Sequence, residues 1–236
     1  MPMNMFNNGR AQYGPVAQGF MSKVFGWMGM GLFVSALTSY AVSPEVSPHL
    51  FATLFSGPIF AIMLVNVLIA IMFPFILGRI SYVTAVALFV TYAALNGIML
   101  SPLFAVYTGA SIAYCFVAAA LMFGIMALYG WVTNQDLSGL GFIAIMALLG
   151  LMIASIFNWW IQSESFNIFY SAAVVVIFAL LTAYDVQKIK VMTRYQIASE
   201  DEQGKLALLG ALILYLDLIN IFLHLLRLFG EKKNRR

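Results

Sequence analysis

The chain has 236 residues, 63% apolar and only 9% charged, with a formal net charge of +3 and a mean hydropathy of +0.94. A soluble domain carries about 45–50% apolar and about 25% charged residues, so the charges here are too few to solvate a globule. The basic residues are sparse and lie between apolar runs, which excludes nucleic-acid binding, and the single cysteine, Cys115, excludes a disulfide scaffold or a cysteine-based metal site.

What remains is an all-α polytopic membrane protein. The first 19 residues are polar and Asn/Gly-rich and lack the apolar core and cleavage site of a secretory signal peptide, so 1–19 is expected to be a short mobile tail. A helix needs roughly 20 apolar residues to cross the hydrocarbon. The charge-free run between Lys23 and Glu45 gives a first span at 20–42, and the next run a second at 51–77, carrying Pro58 and Pro74. Residues 80–135 hold no charge and are too long for one crossing. The stretch S-P-L-F-A-V-Y-T-G-A-S (101–111) breaks them into spans near 80–101 and 107–131. A fifth span covers 140–161, a sixth 166–187 and a seventh 205–229, the last interrupted by Asp217 and Arg227. Residues 20–230 thus form a single seven-helix domain, followed by the basic tail E-K-K-N-R-R (231–236). Each span is helical because lipid offers no partner to an open backbone. The longest loop, 188–205, is too short to fold alone. Asn66, Asn96, Asn158, Ser101 and Ser155 are expected to hydrogen-bond between helices.

Lys and Arg placement sets the orientation. Arg10, Lys23, Arg79, Lys188, Lys190, Arg194 and Lys205 share the side of the N-terminus, whereas the loops 43–50, 102–106 and 162–165 carry no basic residue. The N-terminus is therefore expected to be cytoplasmic. The basic tail 231–236 conflicts with this, since seven full spans would place it outside. Either the internal loops outvote the tail or one segment is re-entrant, and seven full spans are the preferred reading.

An ionisable side chain inside a membrane is expensive and defaults to a functional hypothesis. Asp185, in L-L-T-A-Y-D-V-Q-K-I-K (180–190), sits about one turn from the cytoplasmic end of the sixth span. Asp217 sits near the middle of the last. Asp217, Asn220, His224 and Arg227 are spaced by three, four and three, which puts them on one polar stripe that must face protein or a watery cavity. Arg79 ends the second span, in the same leaflet as Asp185. Two poorly solvated carboxylates held near one Arg titrate as a unit. Charges about 4 Å apart interact by roughly 4 kcal/mol at an effective dielectric near 20. Protonation is then a credible switch: a shared proton closes, two anions repel and open. The plainer readings are a helix-end Asp185 paired with Lys188, Arg79 as an ordinary positive-inside anchor, and His224 as a packing residue.

Several enzymatic readings fail. No lysine lies inside the last spans for retinal, and H-E-x-x-H, G-x-S-x-G and Walker A patterns are missing. The chain reads as a non-enzyme with no cofactor.

The segment T-A-Y-D-V-Q-K-I-K (182–190), followed by G-A-L-I-L-Y-L-D-L-I-N-I-F-L-H-L-L-R-L-F-G (210–230), resembles the signature of the Bax inhibitor-1 family. V-F-G-W-M-G-M-G-L (24–32) and Y-G-W-V-T-N-Q-D-L-S-G-L-G (129–141) add to the likeness, which covers essentially the whole chain and is similar to the bacterial inner-membrane branch. The resemblance implies seven helices with the last central, wrapped by two three-helix layers. It also implies a pH-sensitive calcium leak gated by a di-aspartyl pair, Asp185 and Asp217, with Arg79 as latch. Asn220, His224 and Arg227 support that pair as the rest of the stripe. Outside this cluster the second and third spans hold no acid. Calcium takes six to eight oxygens, so the two Asp make only transient calcium contacts, and the ion passes largely hydrated or with backbone oxygens helping. The partners expected are the lipid bilayer, calcium and protons. Rival readings are an interaction protein that modulates a membrane-anchored quality-control protease through residues 1–19, or a proton-coupled small-solute transporter.

Overall fold

The computed structural model describes residues 5–192 and 199–233. Arg194 and the last three residues of the basic tail lie outside them. The described chain is helical: α1 (Met5–Val42), α2 (Pro48–Phe55), α3 (Ile59–Ile76), α4 (Tyr82–Leu100), α5 (Leu103–Val106), α6 (Gly109–Val132), α7 (Ser138–Ile161), α8 (Glu164–Met192) and α9 (Glu200–Phe229). Seven segments are long and apolar enough to cross a membrane: Gln18–Val42 of α1, α3, Tyr82–Val106 (α4 with α5), α6, Ser138–Asn158 of α7, α8 and α9. The count is the one expected. Two boundaries differ. The 51–77 run is not one helix, because α2 ends at Phe55 and α3 starts after Pro58, a residue suited to a helix start. The segment 5–19, expected to belong to a short mobile tail, forms the first turns of α1.

The chain divides into two compact units, one of residues 1–101 and 188–213, the other of 102–187 and 214–236. In the first, α4 packs along α1 and against α3. The close approach is made at Gly97, where an added Cβ would lie 2.5 Å from the Ser35 carbonyl oxygen. Ser35 Oγ donates to Ala93 O across the pair at 2.7 Å, Trp27 meets Phe89 edge-on, and Asn66 Nδ2 donates to Tyr92 O at 3.1 Å. At one end of this unit Lys23 Nζ donates to Gln203 Oε1 at 2.8 Å, and the Tyr82 ring packs over Gly204. Lys23 thus lies at the end of this unit where α4 begins.

In the second unit α7 and α8 pack through Ala144, Ile177 and Leu181, and Phe116 of α6 meets Phe222 of α9 edge-on. After α9 the chain docks on the 102–108 segment. Thr108 N donates to Glu231 O at 3.1 Å and Lys233 N to Val106 O at 2.9 Å. Lys233 Nζ donates to Phe104 O at 2.7 Å, and Glu231 N donates to Ser111 Oγ at 3.0 Å. The start of the tail therefore lies at the α6 N-terminus, some 36 Å along that helix from the 133–137 loop at ~1.5 Å per residue. This is the placement that seven full spans require. The backbone carbonyls of 104 and 106 hold the Lys residue that the positive-inside pattern disfavours there. Reporters fused at residue 236 and inserted at 102–108 are expected on one side of the membrane, with a reporter at 133–137 on the other. A tail on the 133–137 side would contradict the docking.

Of the five residues expected to bond between helices, Asn66 does so, and Asn158 Nδ2 donates from α7 to Asn167 Oδ1 of α8 at 3.0 Å. The bonds of Asn96 to Tyr92 Oη, Ser101 to Ile98 O and Ser155 to Met152 O stay within their own helices or cap. A short polar side chain on a helix readily reaches a carbonyl of its own preceding turn.

Candidate functional site

The segment around Asp185 is fixed from two sides. Gly130 of α6 lies so close to α8 that an added Cβ would run into the Ala183 carbonyl, and Gly141 of α7 faces the Tyr184 ring. Two residues beyond Asp185, Gln187 clamps the loop between α6 and α7. Its Oε1 accepts from Leu137 N at 2.9 Å, and its Nε2 donates to Gln135 O at 2.7 Å. The two segments 182–190 and 129–141 are therefore bonded to each other. Sequence reasoning passed over Gln187, because a polar residue at a helix end reads as solvated surface. Its one signal was its place within T-A-Y-D-V-Q-K. Gln187→Ala would leave a part-buried backbone N–H and a carbonyl without their partner and is expected to cost about 1–3 kcal/mol, read as a lower melting temperature in detergent. An unchanged melting temperature would remove the clamp from the account.

In the same loop Asp136 Oδ1 accepts from Ser138 N at 2.9 Å. Hydrogen bonds from the Ser138 side chain and backbone hold this exposed carboxyl below the usual carboxylate range. Its support of the α7 start is therefore present above the ordinary carboxylate value and is lost as pH falls through the lowered one.

Asp217 lies on α9, the most buried of the seven segments, with 67% of its span buried against 11% for α3 and for α7. Leu214, Tyr215, Leu218 and Ile221 around it are fully or almost fully buried. Asp217 itself is 3% exposed, and its Oδ2 has no hydrogen-bond partner among the described residues. Asp185 of α8, half-buried, is the neighbouring acid whose charge acts on it. The two acids that the sequence singled out are thus brought together within one unit. No third His, Cys, Asp or Glu joins them in a group that could hold a metal among the described residues.

The stripe is present and grades from buried to exposed. Asn220 is half-buried and donates to Leu216 O at 2.8 Å within α9. His224 stacks obliquely on Tyr170, with ring centroids 5.5 Å apart, and its Nδ1 is buried without a partner among the described residues. Arg227 is exposed and lines a cavity with residues of α7 and α8. Arg79 belongs to the other unit, in the turn after α3, where it is exposed and its N–H donates to Ile76 O at 2.8 Å.

Seven helices long and apolar enough to cross a membrane among the described residues define a polytopic helical membrane protein. The model of the family described as inhibitor of apoptosis-promoting Bax1 matches residues 17–234. The chain belongs to this Bax inhibitor-1 family. It is 42% identical over 221 residues to the inner membrane protein YbhL of Escherichia coli K12, covering 92% of this chain and 93% of the relative. It is also 42% identical over 219 residues to RP147 of Rickettsia prowazekii, covering 91% and 90%. With YrjE of Lactococcus lactis it shares 37% over 212 residues, covering 89% and 90%.

Proposed function

We propose that this protein is a proton-gated cation leak, with calcium as a permeant ion, in a bacterial inner membrane, the compartment named for the Escherichia coli relative. The observation that carries the reading is the Asp217 carboxyl, 3% exposed, with one oxygen unpartnered among the described residues and Asp185 as the neighbouring charge. An ionised carboxylate in such surroundings is costly, so the pair is suited to hold one proton between two acids. With the proton shared, the acids stay together and the path is closed. With both ionised, they repel and it opens. Two Asp supply too few oxygens for a dehydrated calcium ion, so the ion passes largely hydrated. No covalent catalysis and no cofactor enter this reading.

The test is reconstitution of the purified full chain in liposomes holding a calcium dye, with influx followed between about pH 6 and 8. Protein-dependent influx that rises with pH is the expected result. Flat traces from liposomes with verified insertion would sink conduction. Deletion of residues 1–19 and a search for a bound protease would then be the next step. Arg79→Gln tests the latch role and is expected to shift the pH profile without abolishing flux.

A further inference from the structure

We propose that the second unit carries an oxyanion-binding site, fitted to phosphate, in the cavity where α7, α8 and the end of α9 meet. The cavity measures about 390 Å³ and is lined by Ser155, Asn158, Gln162, Asn167, Tyr170 and Arg227, with the Phe166 ring alongside. Its chemistry follows from which hydrogen-bonding groups are already used. The Ser163 backbone N–H can only donate, and it donates to Asn158 Oδ1 at 3.1 Å, which fixes the orientation of that amide. Asn158 Nδ2 then donates to Asn167 Oδ1 at 3.0 Å. Asn167 is left presenting its NH₂ group. The oxygens of Asn158 and Asn167 are therefore each engaged by a donor, and Asn167 keeps its NH₂ group to donate.

Arg227 adds a permanently charged guanidinium with a planar fork of N–H groups, the geometry that matches a phosphate oxygen pair. No acidic side chain is among the described lining residues, so no carboxylate of that lining neutralises Arg227. A cavity that combines the Arg227 cation with the Asn167 NH₂ group and has no lining carboxylate among the described residues favours an oxyanion over a cation. The chain turns back at this end through Gln162, whose φ of 52° is in the left-handed region. That turn keeps Asn158 and Asn167 facing one another across two successive helices.

The phosphate has two possible sources with the same chemistry. Arg227 stands in the last turn of a spanning helix, and Trp160, Ile161 and Phe169, close in sequence to lining residues of α7 and α8, are strongly exposed. A lipid headgroup would be presented there by the bilayer, and free phosphate would arrive from solution. The site is separate from the leak reading, because its readout is binding.

Two arms separate the sources. In the first, the full chain is extracted from mixed phosphatidylcholine and phosphatidylglycerol bilayers and the retained lipid is counted by native mass spectrometry. In the second, delipidated protein is titrated with inorganic phosphate. Preferential retention of phosphatidylglycerol identifies the lipid source, and saturable phosphate binding without lipid the soluble one. In either arm Arg227→Gln is expected to weaken binding by about tenfold or more, the loss typical of a charged hydrogen-bond partner. Arg227→Lys, which keeps the charge and loses the fork, is expected to fall between. Asn167→Ala, at an exposed position, is the second probe if Arg227→Gln does not fold, with melting temperature and gel filtration as the folding controls. Wild-type protein that binds neither probe overturns the proposal. So do folded Arg227→Gln and Asn167→Ala variants that bind as wild type does.

Discussion

Asp217→Asn is expected to remove the pH dependence of cation flux between about pH 6 and 8, leaving it low at every pH. Asn has nearly the volume of Asp, carries no charge and can donate from Nδ2. It therefore stands in for the protonated acid and fixes the pair in its closed arrangement. The same substitution is expected to preserve or raise thermal stability. The Asp217 carboxyl is 3% exposed and its Oδ2 has no partner among the described residues, and an unsatisfied buried polar group costs about 1–3 kcal/mol. A variant that is more stable yet insensitive to pH separates a functional acid from a structural one. Thermal unfolding and dye influx on the same preparation measure both. Retained pH dependence in a well-folded Asn variant would remove Asp217 from the sensor.

The largest stability effect is expected at Gly130. A Cβ there would run into the Ala183 carbonyl, and both residues are buried. The obstacle is backbone, which cannot swing aside as a side chain can. Gly130→Ala is therefore expected to cost about 1–3 kcal/mol by forcing α6 from α8, and Gly130→Leu to prevent recovery of folded protein altogether. Because Ala183 is two residues from Asp185, the Ala variant is also expected to disturb the pH profile. Gly124→Ala, on the same helix with nothing near its added Cβ, is the control and is expected to be neutral or slightly stabilising. Melting temperatures and gel-filtration yield check both. Equal stability of the two Ala variants would show that α6 and α8 are not held at this close approach.

The seven spans were legible because a bilayer demands long apolar runs and the charges between those runs are few. The break at 56–58 was not, since apolar residues flank Pro58 on both sides and charge counting passes over it. Asp185 and Asp217 stood out for the same reason in reverse, as acids where acids are costly. Their nearness could not be read from spacing, because 32 positions separate them and only the packing of α8 with α9 brings them together. The stripe of Asp217, Asn220, His224 and Arg227 followed from helical period alone. That it grades outward into a cavity built by Asn158, Gln162 and Asn167 depends on the turn between α7 and α8. Hydrogen-bond direction was the least legible feature: Ser101 and Ser155 turn back to their own helices or cap, whereas Gln187 reaches across to a loop.

The claim that Asp185 and Asp217 act as one titrating unit is tested most directly by influx pH profiles of wild type, Asp185→Asn, Asp217→Asn and the double variant, measured side by side in liposomes. One shared proton predicts that either single substitution already flattens the profile and that the double variant adds nothing further. Two single variants that each keep part of the pH dependence, with losses that sum in the double variant, would show two independent acids and contradict the shared-proton gate.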